Sequence, residues 1–175
     1  MAALPDYLRF DLMVVFCGTA AGKKSAARRH YYSGDGNEFW PYLFHSGLTT
    51  TLFRPDDDAT VCDHGLGLTD LAKDVAASSD RGLNSHYRVD EFIAKMRQFR
   101  PLWVGFHGKE AAKAVTRHLS QPGTMSLGRQ NWRIGSSSVF VLPSASGANR
   151  DPSRLEGRSD RLEWFKELAE TVLRR

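Results

Sequence analysis

Apolar and polar positions along the chain fall into short blocks of alternating period. Leu12–Cys17 (LMVVFC) is an unbroken apolar run closed by Gly18, the pattern of a strand buried on both faces. Asn37–Ser46 carries Phe39, Trp40, Leu43 and Phe44 at helical spacing, with Asn37 as N-cap and Gly47 as stop. Pro41 then falls near the first turn, where proline is tolerated. Pro55–Asp63 reads as a short acidic helix, Gly65–Leu71 as a short strand or turn, and Ala76–His86 as a polar surface loop. Asp90–Phe99 places Phe92, Ile93, Met96 and Phe99 on one helical face, and Pro101 ends it. Leu102–His107 is a second buried strand, Gly108–Leu119 an Ala-rich helix, and Pro122 and Gly123 mark a loop. Ser138–Leu142 is a third strand closed by Pro143. A polar stretch follows to Ser159, and Asp160–Leu173 is a last amphipathic helix.

Strands alternating with helices predict one α/β domain over residues 1–175, a sandwich around a short, mainly parallel sheet. Ligands of such sheets bind at the carboxyl ends of the strands. The loops Gly18–Gly36, His107–Lys109 and Pro143–Arg150 leave those ends, and the first and last are the places to look for chemistry.

The 175 residues suffice for a core, with 41% hydrophobic and 25% charged residues. The net charge of +4 permits nucleic-acid binding without requiring it. The two cysteines, Cys17 and Cys62, form no CxxC pair, and no secretory or membrane-spanning run is visible, so a cytoplasmic protein is expected.

Gly18-Thr-Ala-Ala-Gly22-Lys-Lys-Ser25 invites comparison with a phosphate-binding loop, but only three residues separate the glycines and Lys24 stands where a hydroxyl is needed. The glycines can still bring backbone N–H groups close to an anion or a flat base. Lys23, Lys24, Arg28 and Arg29 follow with no acid between them, as phosphate contacts or as a solvated basic loop. Tyr31 and Tyr32 end the loop beside Gly34-Asp-Gly36, where a ring either stacks on an extruded base or folds back onto the core.

The block Val14 to Trp40 (VVFCGTAAGKKSAARRHYYSGDGNEFW) resembles the mismatch-specific branch of the uracil-DNA glycosylases. Phe16-Cys17-Gly18, Gly22, Ser25-Ala26, Tyr32 and Asn37-Glu-Phe-Trp40 follow that family's order. Gly67-Leu-Thr-Asp-Leu71 is similar to a second family segment, and Leu142-Pro-Ser-Ala-Ser-Gly-Ala-Asn-Arg150 to its LPNPSG…R loop. The resemblance implies the uracil-DNA glycosylase fold, a monomer, a DNA partner, no metal and no cofactor. It places the base pocket at Gly18, Thr19, Ala20, Ala21, Gly22, Tyr32, Asn37 and Ser144. DNA contacts fall on Lys23, Lys24, Ser25, Arg28, Ser146, Gly147, Ala148, Asn149 and Arg150.

A glycosylase breaks a C1′–N bond through an oxocarbenium-like sugar, and needs a positioned water and donors for the departing base. The family asparagine that holds the water corresponds to Ala20, which has no polar side chain. Asp70 is the expected replacement, orienting water and stabilising the sugar cation; the plain alternative for it is a turn or N-cap residue. His107 and Asp35 are weaker candidates: a satisfied structural histidine is the better account of the first, and turn chemistry explains the second adequately. The histidines lack zinc-ligand spacing, and no lysine stands at a family catalytic position. Two functions remain open: an active monofunctional glycosylase, or a damaged-base binding protein without turnover.

Overall fold

The computed structural model describes residues 2–121 and 123–174; Pro122, read above as part of a loop, lies outside them. Five strands form one sheet: β1 (Val14–Ala21), β2 (Leu66–Ala76), β3 (Trp103–His107), β4 (Gly128–Ile134) and β5 (Ser137–Leu142), in the order β2-β1-β3-β5-β4. The β1–β2, β1–β3 and β3–β5 pairs are parallel, and β4 closes the edge antiparallel to β5. The helices are α1 (Lys23–Arg28), α2 (Phe39–Ser46), α3 (Val89–Phe99), α4 (Lys109–His118) and α5 (Arg161–Leu173).

Alternation along the strands sorts the core into two layers. Phe16 meets Phe39 of α2 edge-on at 5.1 Å, and Phe39 meets Phe165 of α5 at 6.3 Å. On the other face Phe106 packs against Phe92 of α3 at 5.8 Å and Trp132 at 6.2 Å. The sheet is therefore covered by helices on both sides, the arrangement its near-continuous apolar runs require.

Several boundaries differ from the sequence reading. The first strand runs past Gly18 to Ala21, because Gly18 and Ala20 keep their ladder positions opposite Asp70 and Ala72. The basic segment is not a loop throughout: Lys23–Arg28 is a short helix, stopped at Arg29 in the left-handed region. Glu38, not Asn37, holds the N-cap position of α2; the Asn37 carboxamide still accepts the Phe39 N–H at 3.0 Å, a turn placed one residue earlier. The acidic segment forms 3₁₀ turns over Pro55–His64 rather than an α-helix. The short strand at Gly65–Leu71 is the start of the 11-residue β2, and Gly128–Ile134 is a strand that the sequence reading missed. The polar stretch after Pro143 includes a 3₁₀ turn at Pro152–Leu155.

Candidate functional site

A cleft of about 1000 Å³ opens at the carboxyl ends of β1, β3 and β5. It gathers Gly18, Thr19, Ala20, Ala21, Gly22, Tyr32, Asn37, Asp70 and Ser144, the residues named above for the base pocket and its catalytic acid. Lys23, Lys24, Ser146, Ala148 and Asn149 also line it, as does Ser25, which is buried and whose Oγ accepts the Ser33 N–H at 3.1 Å, whereas Arg28, Gly147 and Arg150 do not. The 77–80 segment, read as a plain surface loop, also reaches the cleft, tied to β1 by Thr19 Oγ1 donating to Asp80 at 2.7 Å. A smaller pocket of about 320 Å³ shares Tyr32 and Asn37 but is otherwise walled by groups such as Pro41, Leu52 and Phe53, away from Asp70 and His107.

Asp70 is neither a turn residue nor at a strand end. It sits within β2, directly opposite Gly18, and is buried. Gly18 is required there, since a Cβ would stand 2.9 Å from Asp70 Oδ1. Burial pushes the Asp70 carboxyl up to about 7; the Lys73 charge pulls it down, Asp6 pushes it up, and the Gly18 N–H favours the anion. Lys73 is itself engaged by Asp6 at 2.8 Å, so it does not neutralise Asp70 outright. Strongly shifted carboxyls cluster at functional sites and also occur in structural charge networks.

Tyr32 is held over this spot by several anchors. Its backbone is left-handed, with φ of 54°. Its ring stacks on Phe39 at 3.8 Å and lies 4.7 Å from the His107 ring. The segment before it is fixed by Asp58, a buried carboxylate that accepts the Tyr31 N–H at 2.8 Å and contacts His30 Nδ1 at 3.1 Å. Trp40 Nε1 donates to the Tyr31 carbonyl at 2.9 Å. Both tyrosines touch the cleft, but Tyr31 is buried in the core and Tyr32 only partly buried. Among the described residues the buried Tyr32 hydroxyl has no hydrogen-bond partner, and burial followed by the Asp70 charge holds the phenol protonated. Asp58 was missed in the sequence because three aspartates in a row, Asp56 to Asp58, look like a solvated face.

His107 is a structural group. Its Nε2 accepts the Ala145 N–H at 2.9 Å, and burial, then the Arg161 charge, lowers it to about 3. The ring is neutral at physiological pH and fastens the 143–150 loop to β3. Asp35 is exposed and bound by Lys24 and, at 3.1 Å, Arg28, which explains it without catalysis. Arg28 also donates to the Ser33 carbonyl. Gly147 packs on the Asp35–Gly36 backbone, where a Cβ would meet Asp35 O at 2.6 Å. Arg150 folds back to the Gly147 carbonyl at 2.9 Å. Arg161, also missed, donates to the Ser144 and Ser146 carbonyls at 2.9 and 2.7 Å. Its one sequence signal is a cation at the start of a helix, against the helix dipole.

The model of the uracil DNA glycosylase superfamily matches residues 5–172. The fold is similar to the solution NMR structure of a Methanosarcina acetivorans protein named as a "putative uracil DNA glycosylase", with a TM-score of 0.58 and 18% identity over 98% of this chain and 97% of that one. Among the described residues no helix is long and apolar enough to cross a membrane.

Proposed function

Because the chain belongs to the uracil DNA glycosylase superfamily, we propose that it hydrolyses the N-glycosidic bond of uracil or a related deaminated base flipped out of DNA, in the manner of the mismatch-specific branch. The observation that carries this reading is the meeting of Asp70, Tyr32 and the Gly18–Gly22 segment in one cleft at the strand ends. The flipped base enters beside Tyr32, whose ring is backed by Phe39. As the C1′–N bond lengthens, positive charge develops on the sugar and negative charge on the base. Asp70, in its ionised form, orients the water and stabilises the cation, taking over from the side chain that Ala20 lacks. Water adds to C1′ and its proton leaves with the base or to solvent, so no covalent intermediate and no lyase step is needed. Lys23, Lys24, Ser25 and Arg28 on one side, and Ser146 to Arg150 on the other, meet the DNA backbone. Two free cysteines, Cys17 and Cys62, suit a reducing, cytoplasmic setting, and the protein acts as a monomer.

The test is excision from labelled oligonucleotides carrying one uracil, hypoxanthine or xanthine, single-stranded and in each mispair, followed by alkaline cleavage. Breaks at one modified base, abolished in Asp70→Asn, are the expected result. A second reading, a binder of damaged bases without turnover, is favoured by Ala20, and by Asp70 standing at the level of Gly18 rather than Ala20. Retained binding with no breaks on any substrate would establish it.

A further inference from the structure

Arg161 occupies a position that folding alone gives little reason to keep. It is the first residue of α5, where a cation faces the positive end of the helix dipole. It is buried, and among the described residues no carboxylate forms a salt bridge with it. A buried guanidinium without an acidic partner is costly. What it does have is the loop at the rim of the cleft. Its Nη1 donates to Ser144 O at 2.9 Å and to Ser146 O at 2.7 Å, and its guanidinium lies 5.6 Å from the Tyr42 ring centre.

The carbonyls of residues 144–146 accept further hydrogen bonds from the protein. Ala145 O accepts the Glu38 N–H at 2.9 Å, and Ser144 O also accepts from the Asn149 carboxamide at 2.9 Å. Ser146 O further accepts the Asn149 N–H at 3.1 Å. Three consecutive carbonyl oxygens are thus each satisfied by donors within the protein. A phosphodiester is repelled by carbonyl oxygens and attracted by donors and by positive charge. With those carbonyls satisfied, the loop brings Ser144 and Ser146 to the cleft, their hydroxyl oxygens accepting the Ser146 and Ala148 N–H groups at 3.2 and 3.3 Å and their protons left to donate.

We propose that Arg161 is a positioning residue for DNA binding: by bridging the Ser144 and Ser146 carbonyls, it sets the 143–150 loop to receive the phosphodiester backbone beside the flipped nucleotide. This rests on the reading that the cleft takes a nucleotide from DNA. Arg161 does not touch the DNA; it acts through the loop and through its charge.

The experiment compares wild type, Arg161→Lys and Arg161→Met. The probe is a fluorescein-labelled duplex carrying one tetrahydrofuran abasic analogue, read by anisotropy over a series of KCl concentrations. Excision kinetics and thermal melting are run alongside. In Arg161→Met the Kd is expected to rise roughly ten-fold or more, with a KM increase and kcat kept within about three-fold. Arg161→Lys restores part of the affinity because the charge and one donor remain. A folded Arg161→Met protein that binds the duplex within two-fold of wild type overturns the proposal. So does a weakening fully accounted for by the unfolded fraction. If Arg161→Met does not fold, the same criteria are applied to Arg161→Gln. Wild type that binds the duplex but excises no base removes the enzymatic reading and leaves the Arg161 comparison intact in Kd. Wild type that fails to bind the duplex overturns both.

Discussion

The Asp70 carboxylate lies against the backbone of Gly18 on the neighbouring strand, so closely that a methyl group there would stand 2.9 Å from its oxygen. The glycine and the acid are one feature: the missing side chain is the room the carboxylate occupies. Gly18→Ala is therefore expected to displace Asp70 and cost about 1–3 kcal/mol of stability, the usual cost of overpacking. Excision should fall further than stability does, at least ten-fold at a temperature where the variant is folded. Thermal melting and single-turnover excision check this together; an unchanged rate would mean that the Asp70 position is irrelevant to turnover.

The pH dependence of stability separates Asp70 from His107. Asp70 titrates at about 7 in the folded protein, above its ordinary value, so its contribution is present at low pH and is lost as pH rises from about 4 through 7. His107 titrates at about 3, below its ordinary value, so its contribution is present above about 6.5 and is lost as pH falls towards 3. Between pH 4 and 6.5 the two trends oppose each other. Asp70→Asn removes the first, and its stability relative to wild type should improve with rising pH by up to about 1.4 kcal/mol per unit. Urea melts at pH 4, 5, 6 and 7 give the slope, and a constant difference would show that Asp70 does not titrate there. Excision, which uses the anion, should rise through pH 7 and then level off.

The open question for Tyr32 is whether ring or hydroxyl matters, and Tyr32→Phe separates them. The stack on Phe39 survives while an unpartnered buried hydroxyl is removed. Stability should stay level or rise by about 1 kcal/mol, since a polar group buried without a partner is costly. If the ring is the base platform, excision stays within about three-fold of wild type, whereas Tyr32→Ala loses it. A Tyr32→Phe variant that is stable yet inactive would assign the chemistry to the hydroxyl.

Much of the layout was legible because parallel strands buried on both faces are continuous apolar runs, as at Val14–Cys17, Trp103–Phe106 and Ser138–Leu142. Strand β4 was not, because only Gly128, Trp132 and Ile134 of its seven residues are buried, and charged residues fill the solvent side of an edge strand. The resemblance carried by the Val14–Trp40 block and the Gly67–Leu71 segment also pointed to Tyr32 and to Asp70. It could not show that they share one cleft. Asp58 and Arg161 act through backbone groups far away in sequence, the Tyr31 N–H and the Ser144 and Ser146 carbonyls, and such partners leave no mark in a local pattern. The length of β2 was hidden by Lys73 and Asp74 near its end, of which Lys73 is held by Asp6.

His107 serves as a clamp for the 143–150 loop, and His107→Leu should expose that role. The Ala145 N–H loses its acceptor, an expected loss of about 1–3 kcal/mol. Hydrogen exchange at the Ala145 amide should accelerate, while the pH at which excision rises stays near 7, the value set by Asp70. A shift of that inflection in the variant would instead bring His107 into the chemistry.

Asp35 holds the last prediction because it works against the proposed DNA contacts. It binds both Lys24 and Arg28, and those two hydrogen bonds, Lys24 first, keep its carboxyl below the usual carboxylate range. All three side chains are more than half exposed, so the cluster contributes little to folding. Its effect is on charge: two cations of the proposed DNA face are shared with one anion. Phosphates approaching α1 must compete with Asp35 for the same donors. Asp35→Asn should leave the melting temperature nearly unchanged and tighten binding to a labelled duplex several-fold at low salt. The slope of log K against log salt should steepen by about 1, since another phosphate is neutralised. Equal affinity and slope in the variant would remove Lys24 and Arg28 from the DNA-binding surface and restore the plain reading of α1 as a solvated basic helix.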